Sequence, residues 1–397
     1  MNKYKRFFII VIDSVGIGEM PDADKFGDKG ANTLVHTARA VGGLNVPVMD
    51  SLGLGNLAPI LGTSLVEHPH SYALRLRETS AGKDTMTGHW EMMGINTTKP
   101  FQTFTDTAFS QSLIDELEEK TGHEIIGNKA ASGTEILVEL GEQQMRENSL
   151  IVYTSADSVL QIAAHEETTG VAELYRCCDI AREICMKPEY FVGRIIARPF
   201  VGTNKSNFKR TANRHDLAVS PTGITALDIL KDNGFMVSAI GKINDIFNTV
   251  GVVKTQKTVS NLDGMKKTIA EAKNHDFDGI CYVNLVEFDS EYGHRRNSRG
   301  YAKALEEFDE QLGELIKVIK DDDIVMVTAD HGNDPTHRGT DHTREKVPLL
   351  IYSKSMKKGR YLDERDTFAV IGATILKNFG LKKTPNQIGE PIMEIFE

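Results

Sequence analysis

The sequence predicts an α/β protein in which a largely parallel, helix-flanked sheet is interrupted by an inserted α+β domain. Three observations carry that expectation. Apolar runs of strand length, FFIIVID (7–13), LIVYTSAD (150–157), GICYVNLVEFD (279–289) and DIVMVTAD (323–330), each end in an acidic residue. Helical patterns lie between strands, as in ITALDILKDNG (224–234) and GYAKALEEFDEQLGELIKVIK (300–320). From Pro100 to Pro221 the alternation breaks down, and strand and helix signals mix with turns such as Ala131-Ser132-Gly133.

Taken in order, 7–13 reads as a buried first strand followed by the turn Ser14-Val15-Gly16. In the 300–320 helix, Leu305, Phe308, Leu312 and Leu315 recur at three- and four-residue steps and make one apolar face. FMVSAIG (235–241) and VPLLIYS (347–353) supply further strands. Alternating strand and helix favours a parallel sheet with helices on both faces. The expected division is a discontinuous core domain, 1–100 with 220–397, and a cap domain at 101–219. Arg194, Arg198, Lys205, Lys209, Arg210 and Arg214 gather late in the cap.

A chain of 397 residues is too long for one small core. Its composition, 40% hydrophobic and 26% charged, is that of a globular protein, and no apolar run is long enough to span a bilayer. The N-terminal MNKYKRFFIIVID is short and ends in Asp13, so it reads as a strand and not a signal peptide. A net charge of −10 argues against a nucleic-acid partner, because a phosphate-backbone binder shows a basic surface. Cys177, Cys178, Cys185 and Cys281 have neither metal-ligand nor disulfide-framework spacing, and the expected location is the reducing cytoplasm. Gly53-Leu54-Gly55-Asn56-Leu57-Ala58 formally fits a dinucleotide fingerprint but lacks the strand before it and the acidic strand end after it.

The chemistry-bearing residues cluster at strand ends, where open α/β sheets bind ligands. Asp330 and His331 close one run, and His342 follows within a glycine-punctuated turn. Carboxylate beside imidazole suits a borderline divalent metal such as zinc or manganese. Asp289 is followed by His294 across Gly293, which allows a sharp turn. With Asp13, these make six O and N ligands: too many for one closed tetrahedral site, and suited to two neighbouring open sites. In TSAGKDTMTGHWE (79–91), Thr85 and Thr87 stand where a helix begins, as N-caps or as a nucleophile. An alcohol needs a base or a metal to attack at neutral pH. A dimetal site beside it points to phosphoryl transfer.

Asp13, the loop from Ala81 to Glu91 (AGKDTMTGHWE) and the run from Thr328 to Thr336 (TADHGNDPT) resemble the phosphopentomutase family of the alkaline phosphatase superfamily. The similarity continues through YTSAD (153–157), GRIIARP (193–199), RTANRHD (210–216), GKIND (241–245), YGHRR (292–296) and GTDHTRE (339–345). It therefore spans nearly the whole chain. The resemblance implies an alkaline-phosphatase-like core with a cap, and a phosphomutase of nucleoside catabolism. Its reaction would interconvert α-ribose 1-phosphate and ribose 5-phosphate, and their deoxy analogues, through a phosphothreonine and a 1,5-bisphosphate.

By the same resemblance Thr85 carries the phosphoryl group. Asp289, His294 and His342 would hold one Mn2+, and Asp13, Asp330, His331 and Thr85 a second. A sugar bisphosphate, of the ribose 1,5- or glucose 1,6-bisphosphate type, would prime the enzyme. Ser155, Asp157, Arg194, Arg198, Arg210 and Lys242 would bind substrate, Arg194 and Arg198 from one face of a strand. Lys346 and Leu217 depart from the pattern, where an aromatic residue and a tyrosine are expected. The alternatives are a dimetal phosphatase or phosphodiesterase, an enzyme like cofactor-independent phosphoglycerate mutase and, from another class, a non-catalytic metal-binding protein.

Overall fold

The computed structural model describes residues 3–67, 69–155 and 158–397. The chain forms two compact units: Met1–Thr98 with Ser220–Glu397, and Lys99–Val219. The first segment contributes β1 (Arg6–Ile12) and β2 (Ser71–Leu76). The inserted unit holds β3 (Ile125–Ala130), β4 (Leu150–Thr154), β5 (Val159–His165), β6 (Arg194–Val201), β7 (Lys209–Arg210) and β8 (His215–Ala218). The returning segment supplies β9 (Met236–Ile240), β10 (Lys254–Gln256), β11 (Gly279–Leu285), β12 (Asp323–Thr328), β13 (Val347–Tyr352) and β14 (Arg360–Tyr361).

The main sheet runs β10-β9-β11-β1-β12-β13-β2-β14. From β10 through β12 every neighbouring pair is parallel, and β13 is antiparallel to both β12 and β2. All residues of β1, β11 and β12 are buried, as strands covered on both faces require. The Ser298–Val318 helix buries Tyr301, Leu305, Phe308, Leu312 and Leu315. It starts two residues before the predicted 300 because the Asn297 side chain accepts from Gly300 N and caps it. At the N-terminal edge of the sheet, Arg6 forms a bidentate pair with Asp323 (2.7 and 2.6 Å) and also donates to the Ala272 and His275 carbonyls. Such full satisfaction is what makes a completely buried ion pair tolerable.

The inserted unit is a six-stranded sheet, β3-β4-β5-β6-β7 with β8 also paired to β6. The helices Gln111–Thr121 and Val171–Ile184 bury Leu113, Leu117, Leu174, Cys177, Cys178 and Ala181 against Leu150, Leu160, Ile162 and Ile195. These cysteines fill space. Among the described residues no helix is long and apolar enough to cross a membrane.

Two of the acid-ended runs differ from their reading. β11 stops at Leu285, and Phe288–Gly293 is a single π-helical turn, so Asp289 projects from a turn and not from a strand end. The 150–157 run belongs to the inserted sheet, not to the sheet that carries the other three, and its strand ends at Thr154. Asp157 lies outside the described residues.

Candidate functional site

Sheet register brings three chain segments to one edge. β1 lies between β11 and β12, with Ile12 opposite Leu285 and Val11 opposite Thr328. Asp13 is the first residue after β1, and Asp330 follows β12 by two. Ser14 adopts a left-handed backbone (φ 66°), and its N–H donates to Asp330 Oδ1 at 3.0 Å, tying the two strand ends together. The π turn delivers Asp289 and His294. The bridge between Gly332 and Thr343 folds the following loop back and returns His342 to the same edge.

The six side chains fall into two groups. Asp289, His294 and His342 form one, Asp13, Asp330 and His331 the other; in each, three ligand atoms lie within 4.8 Å of one another. The His331 and His342 rings stack at 3.9 Å between centroids, so the groups adjoin. Each histidine directs Nδ1 at a backbone carbonyl: His331 at Gly332 (3.0 Å), His294 at Thr340 (2.6 Å) and His342 at Lys83 (3.1 Å). A carbonyl only accepts, so Nδ1 carries the hydrogen and Nε2 presents its lone pair to the cluster. That is the second-shell arrangement of metal-ligating histidines.

The carboxylates carry the same signature. Burial, then the Asp330 and Asp289 charges, push the Asp13 carboxyl well above its usual range, against donation from Asn284 and the Lys242 charge. Burial would raise Asp289 too, but His342 and His294 outweigh it and hold it well below. Asp330 is also lowered, burial being overcome by His331, His89 and the Ser14 N–H. Asp13 Oδ1 and Asp330 Oδ2 are buried and accept no hydrogen bond from any described residue. Buried bare carboxylate oxygens beside oriented imidazole lone pairs fit divalent cations.

Thr85 lies at the second group. Its hydroxyl donates to His331 Nε2 at 3.1 Å. The Thr85–Met92 helix is capped by Asp84, whose side chain accepts from Thr87 N, so Thr85 is the first helical residue and free of capping duty. The helix approaches the Asp330 backbone at Gly88, where a Cβ would stand 2.2 Å from the Asp330 carbonyl oxygen. One turn on, His89 Nδ1 donates to the Thr85 carbonyl (2.8 Å) and lies 3.2 Å from Asp330 Oδ2.

Several contributors escape sequence reasoning. Lys83 Nζ donates to the His342 carbonyl (2.6 Å) and to Asp28 (3.0 Å), while the Lys83 carbonyl orients His342. Buried Arg344 reaches Glu78 Oε2 (2.6 Å), the Glu78 carbonyl (3.0 Å) and the Gly82 carbonyl. Threonine loop and histidine loop are thereby fastened together. Asn284, Asn333 and His89 stand behind the carboxylates. Only the matched motifs containing Lys83, His89, Asn333 and Arg344 signalled them at all.

The remaining predicted residues are placed as follows. Lys242 is exposed and opens the short Ile243–Ile246 helix of the main unit. Ser155 follows β4 in the inserted unit, and Arg194 and Arg198, both half-buried, share a face of β6. Arg198 donates to Gln161 Oε1 (3.0 Å) and, with Lys209, Arg210 and Arg214, lines a cavity of about 720 Å³. Arg214 is paired to Asp216 through two bonds of 2.6 Å. Lys346 pairs with Glu364 (3.0 Å), and Leu217 packs on the core of the inserted unit. A further group, His123, Glu173 and Cys177, is closed by Arg176, which donates to both Glu173 oxygens.

A family model described as the metalloenzyme superfamily matches residues 5–383. The chain is 56% identical over 393 residues to a phosphopentomutase of Clostridium beijerinckii, with 99% of each chain covered. It is 57% identical to one of Clostridium perfringens and 54% to one of Clostridium tetani, again with 99% of each covered. Among solved structures, a Leishmania mexicana phosphoglycerate mutase aligns with a TM-score of 0.49 at 12% identity, over 98% of this chain and 97% of that one. With this coverage and identity, the chain belongs to the phosphopentomutase family of the metalloenzyme superfamily.

Proposed function

We propose that the protein works as a phosphopentomutase with two Mn2+, interconverting α-ribose 1-phosphate and ribose 5-phosphate and their 2-deoxy analogues through a phosphothreonine at Thr85. The observation that carries this reading is the Thr85 hydroxyl held 3.1 Å from His331 Nε2, among buried carboxylates with bare oxygens. Bound between Asp289, His294 and His342, and between Asp13, Asp330, His331 and Thr85, the cations would act as Lewis acids on the alcohol and the phosphoryl oxygens. The chain's own residues do the rest. His89 and Asp84 fix the helix start that aims Thr85. Phosphothreonine gives its phosphoryl group to the free sugar hydroxyl: the Thr85 O–P bond and the sugar O–H bond break, a sugar O–P bond forms, and the Thr85 oxygen regains the proton, giving the 1,5-bisphosphate. The bisphosphate turns over, and Thr85 takes the other phosphoryl group, releasing the isomer. A sugar bisphosphate primer, of the ribose 1,5- or glucose 1,6-bisphosphate type, supplies the first phosphoryl group.

The spectator phosphate needs cations that do not react. The basic cavity of the inserted unit supports that role for Arg198 and Arg210, which line it, and Arg194 is proposed beside them from the same face of β6. Ser155 and Asp157 are proposed for the sugar and Lys242 for a phosphate oxygen, in a cytoplasmic enzyme. The test is to incubate manganese-loaded protein with ribose 1-phosphate and glucose 1,6-bisphosphate. Ribose 5-phosphate with little free phosphate is expected. Rapid phosphate release with no isomer would replace the mutase by a dimetal phosphatase.

A further inference from the structure

Two asparagines stand behind the ligand carboxylates, each on the strand or loop that serves the opposite cluster. Asn284 lies on β11, the strand that leads to Asp289, yet its Nδ2 donates to Asp13 Oδ2 at 2.7 Å. Asn333 follows Asp330 and His331, yet its Nδ2 donates to Asp289 Oδ1, also at 2.7 Å. Both side chains are buried, at 1% and 0% exposure.

The amide of Asn333 has one possible orientation. Its Oδ1 accepts from Arg296 Nη1 at 2.7 Å, and a guanidinium has no lone pair to offer, so the NH2 must face Asp289. Arg296 is itself anchored on the Gly293 and Asp334 carbonyls (3.2 and 2.9 Å). The Asn333 backbone is held by the Ser14 carbonyl (3.0 Å) and Thr33 Oγ1 (3.1 Å). Its side chain lies over Gly293, where a Cβ would come within 2.7 Å of the amide. Asn284 is held by β11 itself, paired through Val11 to the strand that ends at Asp13.

A neutral amide suits this place for an electrostatic reason. It fixes one carboxylate oxygen and leaves the other to face the cluster, as Asp13 Oδ1 does. Lysine or arginine there would add a positive charge within a few ångströms of a cation and oppose its binding. We infer that Asn284 and Asn333 are positioning residues for the two metals, each setting the affinity of one cluster by fixing its carboxylate: Asn284 through Asp13, Asn333 through Asp289. This assignment rests on the two-metal reading above.

The test is manganese titration of chelator-stripped full-length protein by calorimetry, with bound ions counted by electron paramagnetic resonance. The wild type takes two ions per chain. Asn333→Leu weakens one site by about 10- to 100-fold, the usual cost of losing a second-shell partner, and leaves the other within about twofold. Asn284→Leu does the converse. In a His331→Ala background, which cripples the Asp13 cluster, the remaining ion binds about 10- to 100-fold more weakly with Asn333→Leu and within about twofold of its affinity with Asn284→Leu. Gly293→Ala pushes the Asn333 amide aside without removing it and reproduces Asn333→Leu, which carries the test if the leucine variant does not fold. Wild-type affinity in both asparagine variants, or equal weakening of both sites by each, overturns the inference. A wild type that binds fewer than two ions overturns the dimetal reading with it.

Discussion

The two ligand clusters use the same residue types on different backbones. Asp13, Asp330 and His331 follow adjacent strands of one sheet and are at most 1% exposed. Asp289 and His294 bracket a π turn, and His342 rides a loop; their exposures are larger, with the His294 side chain at 25%. Charge differs as well: two carboxylates and one imidazole against one carboxylate and two imidazoles. In the Asp13 cluster burial and the Asp330 and Asp289 charges raise the Asp13 carboxyl, whereas in the Asp289 cluster His342 and His294 lower the Asp289 carboxyl when their rings are protonated. Two buried carboxylates against one give the strand-borne cluster the greater need of a cation. The expectation is a more tightly held cation at Asp13, Asp330 and His331 and a more exchangeable one at Asp289, His294 and His342.

Four variants break or sharpen that contrast. The largest effect is expected for Thr85→Ala, which removes the proposed nucleophile: mutase turnover falls by at least ~10⁴-fold, while Asp13, Asp330 and His331 keep the metal content unchanged. Turnover measured alongside metal analysis checks this, and appreciable activity would remove the phosphothreonine. Next, Asp330→Asn takes a charge from the buried cluster and should weaken binding of one divalent cation by at least ~100-fold in a metal titration. His294→Ala opens a half-exposed position that water can fill as a ligand, so its loss is set smaller, about tenfold. Equal losses for Asp330→Asn and His294→Ala would contradict the asymmetry.

The smallest effect concerns Glu345, buried behind the loop that joins the clusters, where Thr33 N and the Thr33 and Thr343 hydroxyls donate to it. Burial pushes its carboxyl from 4.5 up to about 7 against those donors. A carboxyl raised in the folded state contributes stability fully below its unfolded value and loses it as pH rises through the folded one. The wild-type melting temperature should therefore fall between about pH 4.5 and 7 more steeply than that of Glu345→Gln. Parallel pH slopes in thermal melts of the two proteins would exclude Glu345 as the source.

Much of the core was legible in the sequence because β-branched runs that stop at an aspartate describe buried strands with a functional C-terminal edge. Asp13 and Asp330 follow that rule. Asp289 does not: Val286 and Phe288 continue the apolar pattern past Leu285, and period alone does not separate a strand's end from a π turn. The helix start at Thr85 was legible, but its cap was not, since Asp84 and Thr87 are both capping types. Asn284 was illegible as part of the site, and Asn333 was marked only by its motif and not by a role, for a different reason. Their partners Asp13 and Asp289 are 271 and 44 residues away, and an amide becomes meaningful only when the sheet assembles.

The order of the main sheet also has a consequence for biosynthesis. β1 is made long before both of its neighbours, β11 and β12, which are translated after residue 278. The described strands of the inserted unit, by contrast, pair with one another between residues 99 and 219, so that sheet can be completed while the ribosome is still at work. An apolar strand of seven residues, RFFIIVI, thus waits unpaired through most of the chain's synthesis. Pairings so distant in sequence form slowly. An unpaired apolar strand is prone to aggregate, so shielding of β1 has its value in the interval before residues near 328 emerge and close the sheet around it.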